Sequence, residues 1–143
     1  MKKLILGCLL LMTIQLAKAQ TDHLQVEKTL QNYIEGSSYN KLDLLKSAFA
    51  ENATLYLTMG TGVFKRLSPA DYAELFKNNP SGKFNGRYGK VLSVSLIKDI
   101  ATAKVEIRIP ARKMVYIDLF LLKRTDSGWK IISKTATRID DAN

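Results

Sequence analysis

Met114-Val115-Tyr116-Ile117-Asp118-Leu119-Phe120-Leu121-Leu122-Lys123, then Arg124-Thr125-Asp126-Ser127-Gly128, then Trp129-Lys130-Ile131-Ile132-Ser133-Lys134-Thr135-Ala136-Thr137-Arg138, is the stretch whose reading decides the fold. Both flanks are rich in the β-branched and aromatic residues that suit a pleated surface. Asp126-Ser127-Gly128 between them is turn chemistry. The stretch predicts strands over 114–123 and 129–138, joined as an antiparallel hairpin.

The same pattern continues upstream. Lys90–Ile97 and Ala101–Ile109 read as strands joined by Lys98-Asp99-Ile100, and Pro110–Lys113 turns the chain into Met114. Long strands with short connections make an antiparallel meander.

Before the meander the spacing becomes helical. Asp22 is placed to cap a first helix, with Gln25 as its capping-box partner and Val26, Leu30, Tyr33 and Ile34 on one stripe. Gly36 is placed to stop it. Asn40 is placed to cap a second helix with Leu42, Leu45 and Phe49 on its apolar face, broken at Asn52-Ala53. Thr54–Met59 and Val63–Leu67 read as a hairpin about Gly60-Thr61-Gly62. Ser68-Pro69-Ala70-Asp71 starts a third helix, with Tyr72, Leu75 and Phe76 on its stripe. Gly82, Gly86 and Gly89 mark a flexible loop, in which Lys83, Arg87 and Tyr88 are either anion contacts or plain loop residues. The expected class is α+β, with N-terminal helices packed on one face of a curved antiparallel sheet.

The N-terminus carries a different signal. Met1-Lys2-Lys3, an apolar run over Leu4–Leu16, and Ala17-Lys18-Ala19 before Gln20 have the three parts of an export signal. The run is shorter than the roughly 20 apolar residues of a membrane span. Gly7-Cys8 sits too early in the run to be a lipidation site. The expected organisation is a signal peptide over 1–19 and one domain over 20–143, exported to the periplasm or the medium without a stable membrane anchor. Cys8, the only cysteine, would leave with the signal, which excludes disulfides and thiol chemistry from the mature domain. The whole chain has 22 basic and 13 acidic residues; without Lys2, Lys3 and Lys18 the excess falls from +9 to +6. The basic residues are dispersed and no aromatic-basic motif accompanies them, so no nucleic-acid partner is expected.

The element order is similar to that of the nuclear transport factor 2-like superfamily, a cone-shaped fold. Within it the chain resembles the lumazine-binding-like family of small bacterial proteins. The likeness rests on Val26, Tyr33-Ile34-Glu35-Gly36, Leu44-Leu45, Ala48-Phe49, Ala53-Thr54-Leu55, Ile117–Lys123 and Gly128–Lys134. It implies a pocket between the concave sheet face and the helices, and dimerisation through the opposite face. Many relatives carry a histidine where this chain has Ala50, so a role for that histidine does not transfer.

Asp118 is the sharpest candidate for chemistry, because it interrupts an apolar strand. If Ala111-Arg112 is a two-residue turn, Val105 faces Asp118 and Ile107 faces Tyr116. Pairing about Asp126-Ser127 sets Ser133 near Phe120 and Thr135 near Asp118. A carboxyl among apolar groups with a hydroxyl in reach suits a general acid or base, a ligand contact, or a purely structural carboxylate. Tyr33, Phe49, Tyr56, Tyr116 and Phe120 are expected to line the pocket with Asp118 and Thr135, around a small hydrophobic or aromatic ligand. Trp129 is expected to plug one end of the core. His23, the only histidine, lies near the mature N-terminus and is not expected to bind metal or catalyse. No cofactor motif is present. Three readings follow: an exported small-molecule-binding or accessory module, an isomerase, dehydratase or cyclase using Asp118, and a non-catalytic dimeric structural module.

Overall fold

The computed structural model describes residues 2–60 and 62–140, with side chains from residue 19 onward. Its elements are α1 (Lys2–Ser38), α2 (Leu42–Ser47), β1 (Phe49–Thr58), β2 (Phe64–Leu67), α3 (Pro69–Glu74), β3 (Tyr88–Ile97), β4 (Ile100–Ile109), β5 (Met114–Thr125) and β6 (Gly128–Arg138). The strands form one curved, unclosed sheet in the order β2-β1-β6-β5-β4-β3. The meander is antiparallel, as expected. The sheet as a whole is mixed, because β1 runs parallel to β6. The last strand inserts between β5 and β1, and a pair so distant in sequence needs no hairpin.

The β4–β5 register is the one expected, with Val105 opposite Asp118 and Ile107 opposite Tyr116. Its connection is a 3-10 turn over Pro110–Arg112 followed by Lys113 in the left-handed region. The β5–β6 register begins as expected, with Leu122 opposite Ile131, and then shifts. Leu121 faces Ser133, Phe120 faces Lys134 and Asp118 faces Ala136. The irregularity accommodates Ile132 as an extra residue, a β-bulge. Because side chains alternate with period two, this one residue exchanges the faces beyond it. Lys134 turns inward and is buried, while Thr135 is exposed and does not approach Asp118.

The helices differ from expectation in four places, one being that Lys41 rather than Asn40 is the N-cap of α2. α1 is continuous from Lys2, so Asp22 is not an N-cap. The expected export segment continues in backbone into the domain's first helix, and its side chains before Ala19 fall outside the described residues. Asp22 instead accepts from Arg124 and from Trp129 Nε1. That contact closes the end of the core where Trp129 is buried, as expected. Gly36 lies inside α1 rather than ending it. A Cβ there would stand 2.5 Å from the backbone nitrogen of Leu45, so glycine is what lets α1 and α2 touch. The chain turns instead at Asn40, whose φ is 57° and whose amide donates to the carbonyls of Pro80 and Lys83. Finally, α2 stops at Ser47. Phe49 therefore belongs to β1, opposite Ile131, rather than to a helix.

α3 starts as the sequence predicts. Ser68 Oγ accepts from the Asp71 amide and the Asp71 carboxylate accepts from the Ser68 amide, a complete capping box. Tyr72 faces the core, whereas Leu75 is exposed. The core fills the space between the helices and the inner sheet face. Val26, Leu30 and Tyr33 of α1 meet Leu55, Val105, Ile107, Phe120, Leu122 and Ile131.

Candidate functional site

Tyr33 is the centre of a buried polar cluster on the concave face. Helical spacing puts it on the same stripe as Val26 and Leu30, and no part of it is exposed. Its hydroxyl lies 2.6 Å from Asp118 Oδ2, 2.9 Å from Arg87 Nη2 and 3.0 Å from the Tyr72 hydroxyl. A phenol has one proton and two acceptor sites. The carboxylate takes that proton, so Tyr72 and Arg87 donate to the Tyr33 oxygen. All three of its hydrogen-bonding positions are then used.

Asp118 is held on its other side as well. Its Oδ1 lies 3.0 Å from Lys134 Nζ, and both side chains are only 2 % exposed. Arg87 Nη2 stands 3.7 Å from Oδ2. Lys134 is further packed among the rings of Tyr72, Tyr33 and Phe120, with centroids 5.4, 5.8 and 5.9 Å from Nζ. Those ring faces attract a cation taken out of water. The surroundings of Asp118 therefore include a phenol, an ammonium and a guanidinium, not apolar side chains with a hydroxyl alone. Two formal positive charges face one negative charge inside the fold.

Burial, then the neighbouring Asp118 carboxylate and Tyr72, raise the Tyr33 pKa well above the ordinary phenol value, with Arg87 opposing. Burial works against the charged Arg87 guanidinium, but Tyr33, Tyr72 and Asp118 outweigh it and hold its pKa above the ordinary arginine value. The tyrosine stays a proton donor and the arginine a cation.

Of the residues expected at the site, the structure brings Tyr33, Phe49, Asp118 and Phe120 together. The Tyr33 ring meets Phe120 at 5.0 Å and Phe49 at 6.0 Å. These rings pack on one another. Tyr116 is half-buried at the margin of the core, its hydroxyl turned to the Met114 sulfur. Tyr56 stacks on Phe64 at the β1–β2 hairpin, away from the cluster, and Thr135 lies on the other sheet face.

Arg87, Lys134 and Tyr72 complete the site. Arg87 was visible as a basic residue in a glycine-rich loop, but not its inward path. That loop is pinned rather than loose. The Asn85 amide side chain donates to the Ser37 carbonyl and to Asn40 Oδ1, and its backbone amide donates to the Ser38 carbonyl. Lys134 had one signal, the Ile131-Ile132 doublet, where two successive apolar residues break strand alternation.

Arg87 also reaches the surface. Beside it a groove of about 380 Å³ opens between α1 and the start of β3. Ile34 and Gly89 form its floor, Tyr39, Phe84 and Tyr88 its aromatic wall, and Gln31, Glu35, Ser38 and Arg87 its polar margin. Among the described residues, no group of histidine, cysteine and carboxylate side chains is placed to hold a metal ion.

A family model described as "Putative lumazine-binding" matches residues 21–136. The chain belongs to that family. Solved structures similar to this lumazine-binding-like chain share its cone fold. An NTF2-like protein of unknown function from Shewanella baltica OS155 is 15 % identical with a TM-score of 0.72, covering 85 % of this chain and 96 % of its own. One from Silicibacter pomeroyi DSS-3 is 17 % identical at 0.72, over 84 % and 98 %. A third, from Methylobacillus flagellatus KT, is 21 % identical at 0.71, over 83 % and 93 %. No curated protein matches the sequence.

Proposed function

We propose that this member of the lumazine-binding-like family is an exported module that binds a small molecule in the groove beside Arg87 without transforming it. The observation that carries this reading is the double role of Arg87. Its Nε and Nη2 are anchored inward on Ser37 Oγ and the Tyr33 hydroxyl, while its side chain borders an open, aromatic-walled groove. A rigidly held donor at the edge of a concave apolar surface is the usual construction of a ligand site. The family description, which names a small ligand, agrees with it. Export rests on the N-terminal signal pattern.

Binding is favoured over an Asp118 acid–base mechanism because Lys134 and Tyr33 occupy both carboxylate oxygens. A general base needs an oxygen within reach of the substrate proton. Native mass spectrometry of protein purified from its own periplasm or medium tests the reading. A retained adduct on a chain beginning at Gln20 is expected. A bare chain under gentle ionisation overturns the binding reading.

A dimeric state has its own support. Leu119 and Leu121 on the outer sheet face are 48 % and 50 % exposed, and Ile132 beside them is 38 % exposed. Apolar side chains grouped on one sheet face are usual in a buried interface. Sedimentation of the wild type and of Leu119→Lys is expected to give a dimer and a folded monomer, the monomer melting lower at the same protein concentration. A monomeric wild type removes this assignment.

A further inference from the structure

We infer that the groove between α1 and β3 selects planar aromatic carboxylates; this deepens the binding reading above and rests on it. Tyr39, Phe84 and Tyr88 form a continuous ladder, with ring centroids 5.4 and 4.8 Å apart. They are 39 %, 37 % and 57 % exposed although each is a large apolar surface. An aromatic ring laid against such a ladder gains contact area and offset or edge-to-face stacking. The groove volume of about 380 Å³ lies at the small end of ligand sites, which matches one or two fused rings. The floor is closed. A Cβ at Gly89 would stand 2.6 Å from Ile34, so helix and strand already touch there.

The polar margin selects charge. Arg87 uses Nε and Nη2 within the fold, and Nη1 bonds to none of the described residues. Glu35 across the groove is answered by Lys41 at 2.5 Å, which holds its carboxyl below the usual range. Ser38, also at the margin, carries a buried hydroxyl with no hydrogen-bond partner among the described residues. Behind Arg87, the formal charge of Lys134 and Arg87 exceeds that of Asp118 by one. A carboxylate accepting from Nη1 offsets that excess with a charge-assisted bond. A phosphate fits less well, because it calls for several converging donors where the groove offers one guanidinium edge and ring faces.

The probes are naphthoate and its neutral isostere naphthamide, titrated into the full mature chain and followed by NMR. Naphthoate is expected to shift the ring signals of Tyr39, Phe84 and Tyr88, and to bind about tenfold more tightly than naphthamide. Tyr88→Ala, at an exposed position, is expected to weaken naphthoate about three- to tenfold with an unchanged melting midpoint. Arg87→Gln, which removes Nη1 and the excess positive charge together, is expected to bring the two probes to equal affinity. If acid and amide bind wild type equally, or if Tyr88→Ala leaves naphthoate binding unchanged, the inference is overturned. If naphthoate leaves the groove signals unmoved while a native adduct is retained, the ligand class is wrong and the binding reading stands. If neither is bound, both fall.

Discussion

Removing either member of the Asp118–Lys134 pair leaves a charge buried without its main partner. Lys134→Met leaves Asp118 to Tyr33 and Arg87; Asp118→Asn leaves two cations facing an amide. Breaking a buried pair from one side costs about 3–5 kcal/mol, because desolvation of the remaining ion is no longer offset. Each single variant is expected to lose on the order of 3 kcal/mol. The double variant should lose less than the sum by on the order of 1–3 kcal/mol. Urea denaturation of the four proteins measures this; strictly additive losses would show that the pair is not coupled. At this scale Asp118 was legible, since a carboxylate in an apolar strand has to find partners. Which partners it finds was not, because Arg87 and Lys134 reach it from elements distant in sequence.

Two elements depend on a single residue each. In α1, replacing Gly36 with alanine improves helix propensity by about 1 kcal/mol. The added Cβ, however, meets the Leu45 backbone at 2.5 Å, and backbone cannot swing aside like a side chain. Overpacking of this kind costs about 1–3 kcal/mol, so Gly36→Ala is expected to destabilise by up to about 2 kcal/mol net. Gly60→Ala, with nothing within 4 Å, should stay within about 0.5 kcal/mol. Thermal melts of the two variants decide it, and a stabilised Gly36→Ala would contradict the packing argument. In β6, the bulge at Ile132 exchanges Thr135 for Lys134 on the inner face. Turn residues set the start of a hairpin register, and Leu122 does face Ile131 as they require. A bulge further along depends on what each face then buries, which here includes the ring cage around Lys134.

For the molecule as a whole, the Tyr33 proton ties stability to alkaline pH. The folded state holds that proton to a higher pH than the unfolded chain, which releases it near pH 10. The contribution is therefore complete below about pH 10 and is lost as pH rises from there toward the raised folded value. Wild type is expected to lose stability more steeply above pH 10 than Tyr33→Phe, although the variant starts lower at neutral pH. Denaturation midpoints across that range provide the measurement, and parallel slopes for the two proteins would refute it. The sequence alone determined the α+β class, the antiparallel meander, the β4–β5 register, the capping box at Ser68 and the family resemblance. Periodicity, turn chemistry and capping are local properties, carried by residues a few positions apart. Only the tertiary structure decided that β1 lies parallel to β6, that α1 does not end at Gly36, and that Lys134 rather than Thr135 faces Asp118. It also turned the expected hydrophobic surroundings of Asp118 into an ionic cluster that reaches a groove through Arg87. Those outcomes depend on which distant surfaces meet, and that is settled by burial and charge pairing across the folded chain.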